Sequence, residues 1–293
     1  MKFIGKSYDE QYFDLCRRII RKGSFDSNPR PKYEDGTPAH VKSVFHHTLK
    51  FTPNDIPLLF SKQVYIRQAV EEILWIWQKR SNVVQDLKDK NVHIWNEWTM
   101  EDGTIGKAYG YQLAQEVGRT GRNQVDNLIH NLKTNPESRR HVVHLWNVAD
   151  IDDMALTPCV FLTQWIITDG KLNLEVVIRS NDIALGGPFN YPQYWILHKL
   201  ICNEVGLDYG DVIFTITTPH LYDRHIPTIM EQMHNYGNKE LTILFSDKIT
   251  QQPIEIEIDD VGFYDFTIDN IRIKNYDSFG GEPLPKYKFE VGI

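Results

Sequence analysis

Pro158-Cys159 opens an apolar stretch, and Arg179-Ser180-Asn181-Asp182 closes the one that follows it. The stretches Cys159–Thr168 and Lys171–Ser180 flank Asp169-Gly170, a dipeptide suited to a two-residue hairpin turn. With a tight turn Thr168 faces Lys171, and counting back along the ladder sets Cys159 opposite Ser180 and beside Arg179. Facing side chains in such a ladder lie about 4.5–5.5 Å apart at Cβ. A guanidinium beside a thiol lowers its pKa and favours the thiolate, the form that attacks electrophilic carbon. A bulge would shift this register by one residue. The pairing predicts an activated cysteine nucleophile. Cys16, on an apolar-sided helix, and Cys202, in a helical run, read instead as small core side chains.

Other residues suit a phosphorylated, planar substrate. Arg139-Arg140 follow Pro136-Glu137-Ser138, and Arg179-Ser180 end the hairpin. Guanidinium forks and a hydroxyl are what a phosphate monoester needs, although single exposed arginines are often merely solvated. Asn190 ends Gly186-Gly187-Pro188-Phe189-Asn190. Its amide offers an acceptor beside donors, which matches the O4/N3 edge of uracil, whereas an aspartate would accept from a cytosine amino group. An asparagine here equally serves a turn or a helix cap. Glu72, among Val70, Ile73, Leu74 and Trp75, is a candidate for a raised pKa and proton transfer, and Glu71 reads as its solvated neighbour. His220 and Tyr222 alternate at a strand end and share a face, and Tyr109 adds a phenol in a glycine-punctuated loop. Trp95 and Trp98 offer core bulk or a platform for a planar ring. Walker, GxGxxG, HExxH and Cys/His metal spacings are absent from the sequence, so no metal is expected.

Positioning these residues falls to mixed elements. Helices are predicted over Tyr8–Lys22, Lys62–Lys79, Asn123–Lys133, Pro192–Glu204 and Arg224–His234. A polar loop, Ser24–Ala39, precedes a strand at His40–Phe51, and Ile94–Gln112 reads as loop passing into a short helix. Further strands are predicted at Arg140–Trp146, Val212–Thr217, Leu241–Phe245, Ile254–Ile258 and Phe266–Ile273, before an apolar tail, Phe289–Ile293. Without regular βαβ alternation the pattern favours an α+β fold. With no linker or repeat, residues 1–293 read as one domain.

The bulk properties narrow the class. The chain has 293 residues, 41% hydrophobic and 24% charged, an ordinary globular mixture. A net charge of −7 argues against a broad nucleic-acid surface, so any anion must meet a local arginine cluster. Three cysteines without CxxC spacing favour a reducing compartment. No signal peptide or membrane span is legible, so a cytoplasmic protein is expected.

Read in order, Glu71–Trp77 (EEILWIW), Ile94–Trp98 (IWNEW), Gly106–Gln112 (GKAYGYQ), Pro136–Arg140 (PESRR), Met154–Cys159 (MALTPC), Arg179–Asn190 (RSNDIALGGPFN) and His220–Tyr222 (HLY) resemble the motifs of the thymidylate synthase family nearly end to end. The resemblance implies a mixed sheet covered by helices, with one sheet face forming the interface of an obligate homodimer. It implies reductive methylation of dUMP to dTMP with 5,10-methylenetetrahydrofolate, giving dihydrofolate. By that resemblance Cys159 adds to carbon 6 of dUMP. Arg30, Arg179 and Ser180 hold the phosphate, joined by Arg139 and Arg140 of the partner subunit. Asn190 reads the uracil edge, and His220 with Tyr222 the deoxyribose hydroxyl. Glu72 organises water and proton transfer, and Tyr109 assists proton loss from carbon 5. Trp95, Leu156, Asp182, Gly186 and Phe189 line the folate pocket, Asp182 also counting among the catalytic residues, and Lys62 meets the folate glutamate. The tail ending at Ile293 closes over the site.

The chain departs from the family's usual pattern at Val160 (often histidine), Ile178 (often glutamine), Gln63 (arginine) and Gly292 (often alanine). Thr217-Thr218-Pro219 stands where Gly-Asp and one further residue are usual, changing the expected turn chemistry beside the sugar site. A dUMP hydroxymethylase, in which water captures the methylene, and a non-catalytic nucleotide- or RNA-binding module remain the alternative readings.

Overall fold

Asp169 and Gly170 have φ of 51° and 74°, the left-handed pair that a tight hairpin turn requires, and Thr168 pairs with Lys171. This turn seeds the sheet that carries the site. The computed structural model describes residues 1–246 and 250–292. Along the chain run β1 (Lys2–Gly5), α1 (Asp9–Lys22), β2 (Ser24–Phe25), β3 (Val41–Ser43) and β4 (His47–Phe51). Then come α2 (Ile66–Trp77), α3 (Gln85–Lys88), α4 (Gly110–Leu113), α5 (Gln124–Thr134) and β5 (His141–His144). The second half contains β6 (Val160–Thr168), β7 (Lys171–Asp182), α6 (Gly186–Val205), β8 (Asp208–Tyr222) and α7 (His225–Leu244). Last are β9 (Ile254–Ile258), β10 (Ile271–Lys274) and the ribbon of β11 (Ser278–Phe279) with β12 (Glu282–Pro283).

The main sheet has seven strands in the order β2-β3-β8-β7-β6-β5, with β4 also pairing β8. Only β7 and β8 run parallel within it; its other pairs are antiparallel. This is the mixed sheet of an α+β fold. Along β7, Leu172, Leu174, Val176 and Ile178 alternate into the core, the period-two pattern of a sheet face packed on helices. Helix α6 is buried on all sides from Tyr191 to Cys202, which makes it the central helix rather than a surface one.

Several element boundaries differ from the sequence expectation. His46, with φ of 55°, splits the expected strand His40–Phe51 into β3 and β4. The helix expected over Lys62–Lys79 is confined to α2. The helix expected from Pro192 begins at Gly186, because Asp182 Oδ1 accepts the Ala184 and Leu185 amides at 2.8 and 3.2 Å and turns the chain into it. Pro188 then lies in the first turn, where a missing N–H costs nothing. Leu241–Phe245, expected as a strand, continues α7 through Leu244, since extending an existing helix adds one bond per residue ordered. Of Phe266–Ile273, only the end joins a strand, β10.

Candidate active site

A bulge between Val160 and Leu162 decides the local geometry around Cys159. Val160 pairs with Ile178, and the Arg179 amide donates to the Cys159 carbonyl at 2.9 Å, so Cys159 stands beside Arg179 rather than opposite Ser180. Arg179 reaches over Trp146 and is clamped by carbonyls: Nε donates to Pro158 O (3.0 Å), and Nη2 to Thr157 O (2.8 Å) and Thr157 Oγ1 (2.9 Å). Nη2 lies 3.9 Å from Cys159 Sγ. The expected lowering of the thiol pKa is not the net result. Burial pushes the Cys159 thiol above its ordinary value; Arg179 opposes that rise and Asp182 adds to it.

Glu72 heads a chain of polar side chains that leads to Asn190. Trp95 Nε1 donates to its Oε1 at 2.8 Å, and Gln193 Nε2 donates to its Oε2. Asn190 Nδ2 donates to Gln193 Oε1 (3.2 Å), and Asn190 Oδ1 accepts from Asn181 Nδ2 (3.1 Å). Tyr191 OH anchors Asn181 Oδ1 at 2.6 Å. Burial lifts the Glu72 pKa to about 7, with the two donors pulling it back. Glu71, expected to be solvated, is buried and paired with Lys90. Its helix turn faces the Lys90 segment, a contact that local sequence does not encode. Asn190 lies on α6 with one amide hydrogen and one lone pair unused among the described residues, enough for a cyclic amide edge.

Tyr109 OH accepts the Cys159 amide at 3.1 Å, and its ring packs 5.2 Å from Trp95. Burial, then the neighbouring Cys159 thiolate, raise its pKa well above that of a free phenol, so it stays protonated. Its φ of 45° is a strained backbone value for a bulky residue. Leu156 and Phe189 are half-buried. At Gly186 a Cβ would sit 3.6 Å from Asn181 Nδ2 and 3.7 Å from Asn190 Oδ1, ordinary contact at the edge of the amide pair.

Asp182 stands at the end of β7. Burial alone would raise its pKa, but His225, His220 and the Ala184 amide outweigh it and hold the carboxyl below its usual range. Lys62 is buried: its Nζ donates to the Ala184 carbonyl and lies 4.7 Å from the Phe289 ring, and burial drops its pKa to about 8. It faces the Asp182 corner, not open solvent. Ser180 Oγ and His220 Nδ1 are 3.5 Å apart, and the His220 and Tyr222 rings are 5.6 Å apart. The charge of Arg30 acts on Tyr222 across this corner. Arg139 and Arg140 are exposed, and among the described residues neither guanidinium has a hydrogen bond or ion pair within the chain. Ile293 lies outside the described residues. Thr157, Asn181, Gln193 and His225 join the constellation without having been singled out from the sequence. Only Asn181 and Thr157 carried a signal, through their motifs.

Comparisons with known proteins give the family. The family model for thymidylate synthase matches residues 10–291. The chain belongs to the thymidylate synthase family. It is 45% identical over 292 residues to a thymidylate synthase of Bacillus licheniformis, covering 98% of this chain and 99% of that one. A thymidylate synthase of Bacillus phage phi3T is 42% identical with the same coverage. The solved structure of thermostable thymidylate synthase A from Bacillus subtilis superposes with a TM-score of 0.86 at 42% identity, covering 98% and 99% of the two chains.

Within the thymidylate synthase family's pattern, the departures of this chain now have places. Val160 and Ile178 are cross-strand partners, both buried, so two separate departures form one apolar pair. Thr217-Thr218-Pro219 is not a turn. It lies inside β8, with Thr218 opposite Ser180 and Pro219 opposite Asn181, and the carbonyls of Thr217 and Pro219 accept the His46 and Val44 amides at 2.8 and 3.3 Å. Gln63 donates its backbone amide to Pro285 O at 2.8 Å.

Proposed function

We propose that the protein catalyses the reductive methylation of dUMP to dTMP with 5,10-methylenetetrahydrofolate, through a transient bond between Cys159 and the pyrimidine, as one catalytic unit spanning the chain. The observation that carries this reading is that Cys159, beside Arg179, is joined through Tyr109 and Trp95 to the Glu72 carboxyl, which continues through Gln193 to the Asn190 amide. Family membership supports the reaction class.

Each side chain has a task. Cys159 Sγ adds to carbon 6 of the uracil, and the displaced electron pair moves through carbon 5 to O4, making carbon 5 nucleophilic. Arg179 stabilises the thiolate before addition and the phosphate throughout, with Ser180, Arg30 and the partner subunit's arginines completing the anion site. Asn190 donates toward O4 and accepts from N3–H. Glu72, with a pKa of about 7, exchanges protons at O4 through water, and protonated Tyr109 orients water at carbon 5. The folate supplies the one-carbon unit and afterwards the hydride. Trp95, Leu156, Gly186, Phe189 and Asp182 form the wall against which it lies, and Trp95 shields the new methylene from water. His220 and Tyr222 meet the deoxyribose hydroxyl. Elimination of Cys159 regenerates the thiol.

The working unit is a homodimer in the cytoplasm, packed sheet against sheet. Exposed Phe45, Val142 and Val148, together with unpaired Arg139 and Arg140, support that arrangement. The test is one incubation of dUMP with methylenetetrahydrofolate followed by mass analysis. dTMP with an equal amount of dihydrofolate is expected, and none from Cys159→Ala. A hydroxymethyl nucleotide without dihydrofolate, or turnover by Cys159→Ala, overturns the proposal.

A further inference from the structure

Arg224 lies between β8 and α7, directly after Tyr222 and Asp223, and binds two segments far apart in the chain. Its guanidinium sits 4.0 Å from the centre of the Tyr33 ring. On one side Nη2 donates to Asp35 Oδ2 and Thr37 Oγ1, each at 2.7 Å. On the other, Nη1 lies 3.0 Å from both carboxylate oxygens of Glu290. Tyr33, Asp35 and Thr37 belong to the loop that carries Arg30; Glu290 belongs to the C-terminal tail. Tyr33 OH donates in turn to Asp223, which roots the loop at the same corner.

The neighbouring residue continues the connection inward. His225 Nε2 lies 2.6 Å from the Glu290 carbonyl, and His225 Nδ1 is 3.8 Å from Asp182 Oδ1. Phe289 packs 5.1 Å from the His225 ring and over Lys62. Gly292 lies so close that a Cβ there would come within 2.7 Å of Tyr222 and 3.0 Å of Ala39. The tail is therefore seated against the site, not trailing from it.

Exposed ion pairs contribute little when each side chain must be ordered for a single contact. Arg224 differs because the Tyr33 ring and Asp35 already hold its planar fork before Glu290 is met, so capturing the tail costs less entropy. Arg224 thus hydrogen-bonds side chains of both the loop and the tail.

We propose that Arg224 is a positioning residue that latches the C-terminal tail to the Arg30 loop, so that the segments bracketing the nucleotide close as one. This rests on the reading above, in which the nucleotide lies between Cys159 and the Arg30 loop. The latch keeps water and other nucleophiles from the exocyclic methylene until hydride arrives. When it is broken, an added small thiol reaches that methylene. Its sulfur bonds to the methylene carbon, the electron pair returns through carbon 5, the Cys159 thiolate leaves carbon 6, and a thioether nucleotide forms with no oxidation of tetrahydrofolate.

The test compares the parent with Arg224→Gln, Glu290→Gln and Asp35→Asn, in the presence of a small thiol, with thermal unfolding measured alongside. Arg224→Gln and Glu290→Gln are expected to lower kcat at least about tenfold, the worth of one hydrogen bond to a charged group. Both are expected to yield thioether nucleotide and less dihydrofolate than folate consumed. The KM for dUMP is expected to rise in Arg224→Gln and Asp35→Asn but not in Glu290→Gln. Parental kcat with equimolar dihydrofolate and no thioether in both kcat variants overturns the latch while leaving the chemistry standing. If Arg224→Gln does not fold, that same result in Glu290→Gln alone overturns it. A parent that makes no dTMP overturns both.

Discussion

Glu72 carries a carboxyl whose pKa is lifted to about 7 by burial, against a usual value of 4.5. Between those values the folded chain retains a proton that the unfolded chain has released, so this group makes stability fall as pH rises through the window, by at most about 3 kcal/mol. On the proposed mechanism the same group is expected to place a limb near pH 7 in the profile of kcat/KM for dUMP. In Glu72→Gln that limb is expected to vanish, turnover to drop by at least about a hundredfold as for a lost proton-transfer group, and the stability slope to flatten. Activity and urea-unfolding profiles across pH measure both. Asn190 poses a separate question of recognition. Asn190→Asp exchanges a donor for an acceptor at the edge proposed to meet O4, so cytosine nucleotides are expected to compete with uracil nucleotides. The ratio of kcat/KM for dUMP and dCMP reads the effect; an unchanged ratio removes Asn190 from base recognition.

At the level of elements, the site hangs on the ends of β6, β7 and β8 and on the first turns of α6. The β6 bulge aims Cys159 at Arg179, and the turn that Asp182 holds before Gly186 starts α6 early enough to bring Asn190 and Gln193 to Glu72. Helix α5 sets the approach of the loop bearing Arg139 and Arg140. Its start is held by Asn123, whose side chain accepts the Val125 and Asp126 amides at 3.1 and 3.0 Å. Asn123→Ala is expected to cost about 1 kcal/mol, as for a lost N-cap, seen as a lower unfolding midpoint with the pH profile of activity unchanged. Much of this layer was legible. The Asp169-Gly170 turn announced the hairpin, and the helical pattern expected over Lys62–Lys79 announced α2. The early start of α6 was not, because Gly186-Gly187-Pro188 reads as a turn until Asp182 is seen to accept the Ala184 and Leu185 amides just before it.

For the whole molecule, the exposed guanidinium groups of Arg139 and Arg140 and the thiol of Cys159 belong to two half-sites if the arginines act across a dimer. Cys159→Ala and a variant with Arg139→Ala plus Arg140→Ala are then each expected to be inactive, yet to regain activity when mixed dimers form. A mixed dimer places both defects in one site and leaves the other intact. Refolding the two variants together and assaying dTMP formation measures this. A mixture as inactive as its components would place the arginines in the same chain's site, and an active arginine variant would place them outside it.

Residue types and order along the chain sufficed for the hairpin, the α+β mixture, the candidate thiol, the amide and the arginines. Each of these is written in local periodicity or in side-chain chemistry. The electrostatic character of the site is not local. Cys159 lies beside Arg179 as its motif suggested, yet its thiol is pushed up, because burial by distant segments outweighs one guanidinium at 3.9 Å. Glu71 and Glu72 are adjacent in sequence, but one is neutralised by Lys90 and the other is held by Trp95 and Gln193. Gln193 and Arg224 carry no signature in the chain itself. Their partners lie up to 189 residues away in sequence, and only packing brings those groups within hydrogen-bond reach.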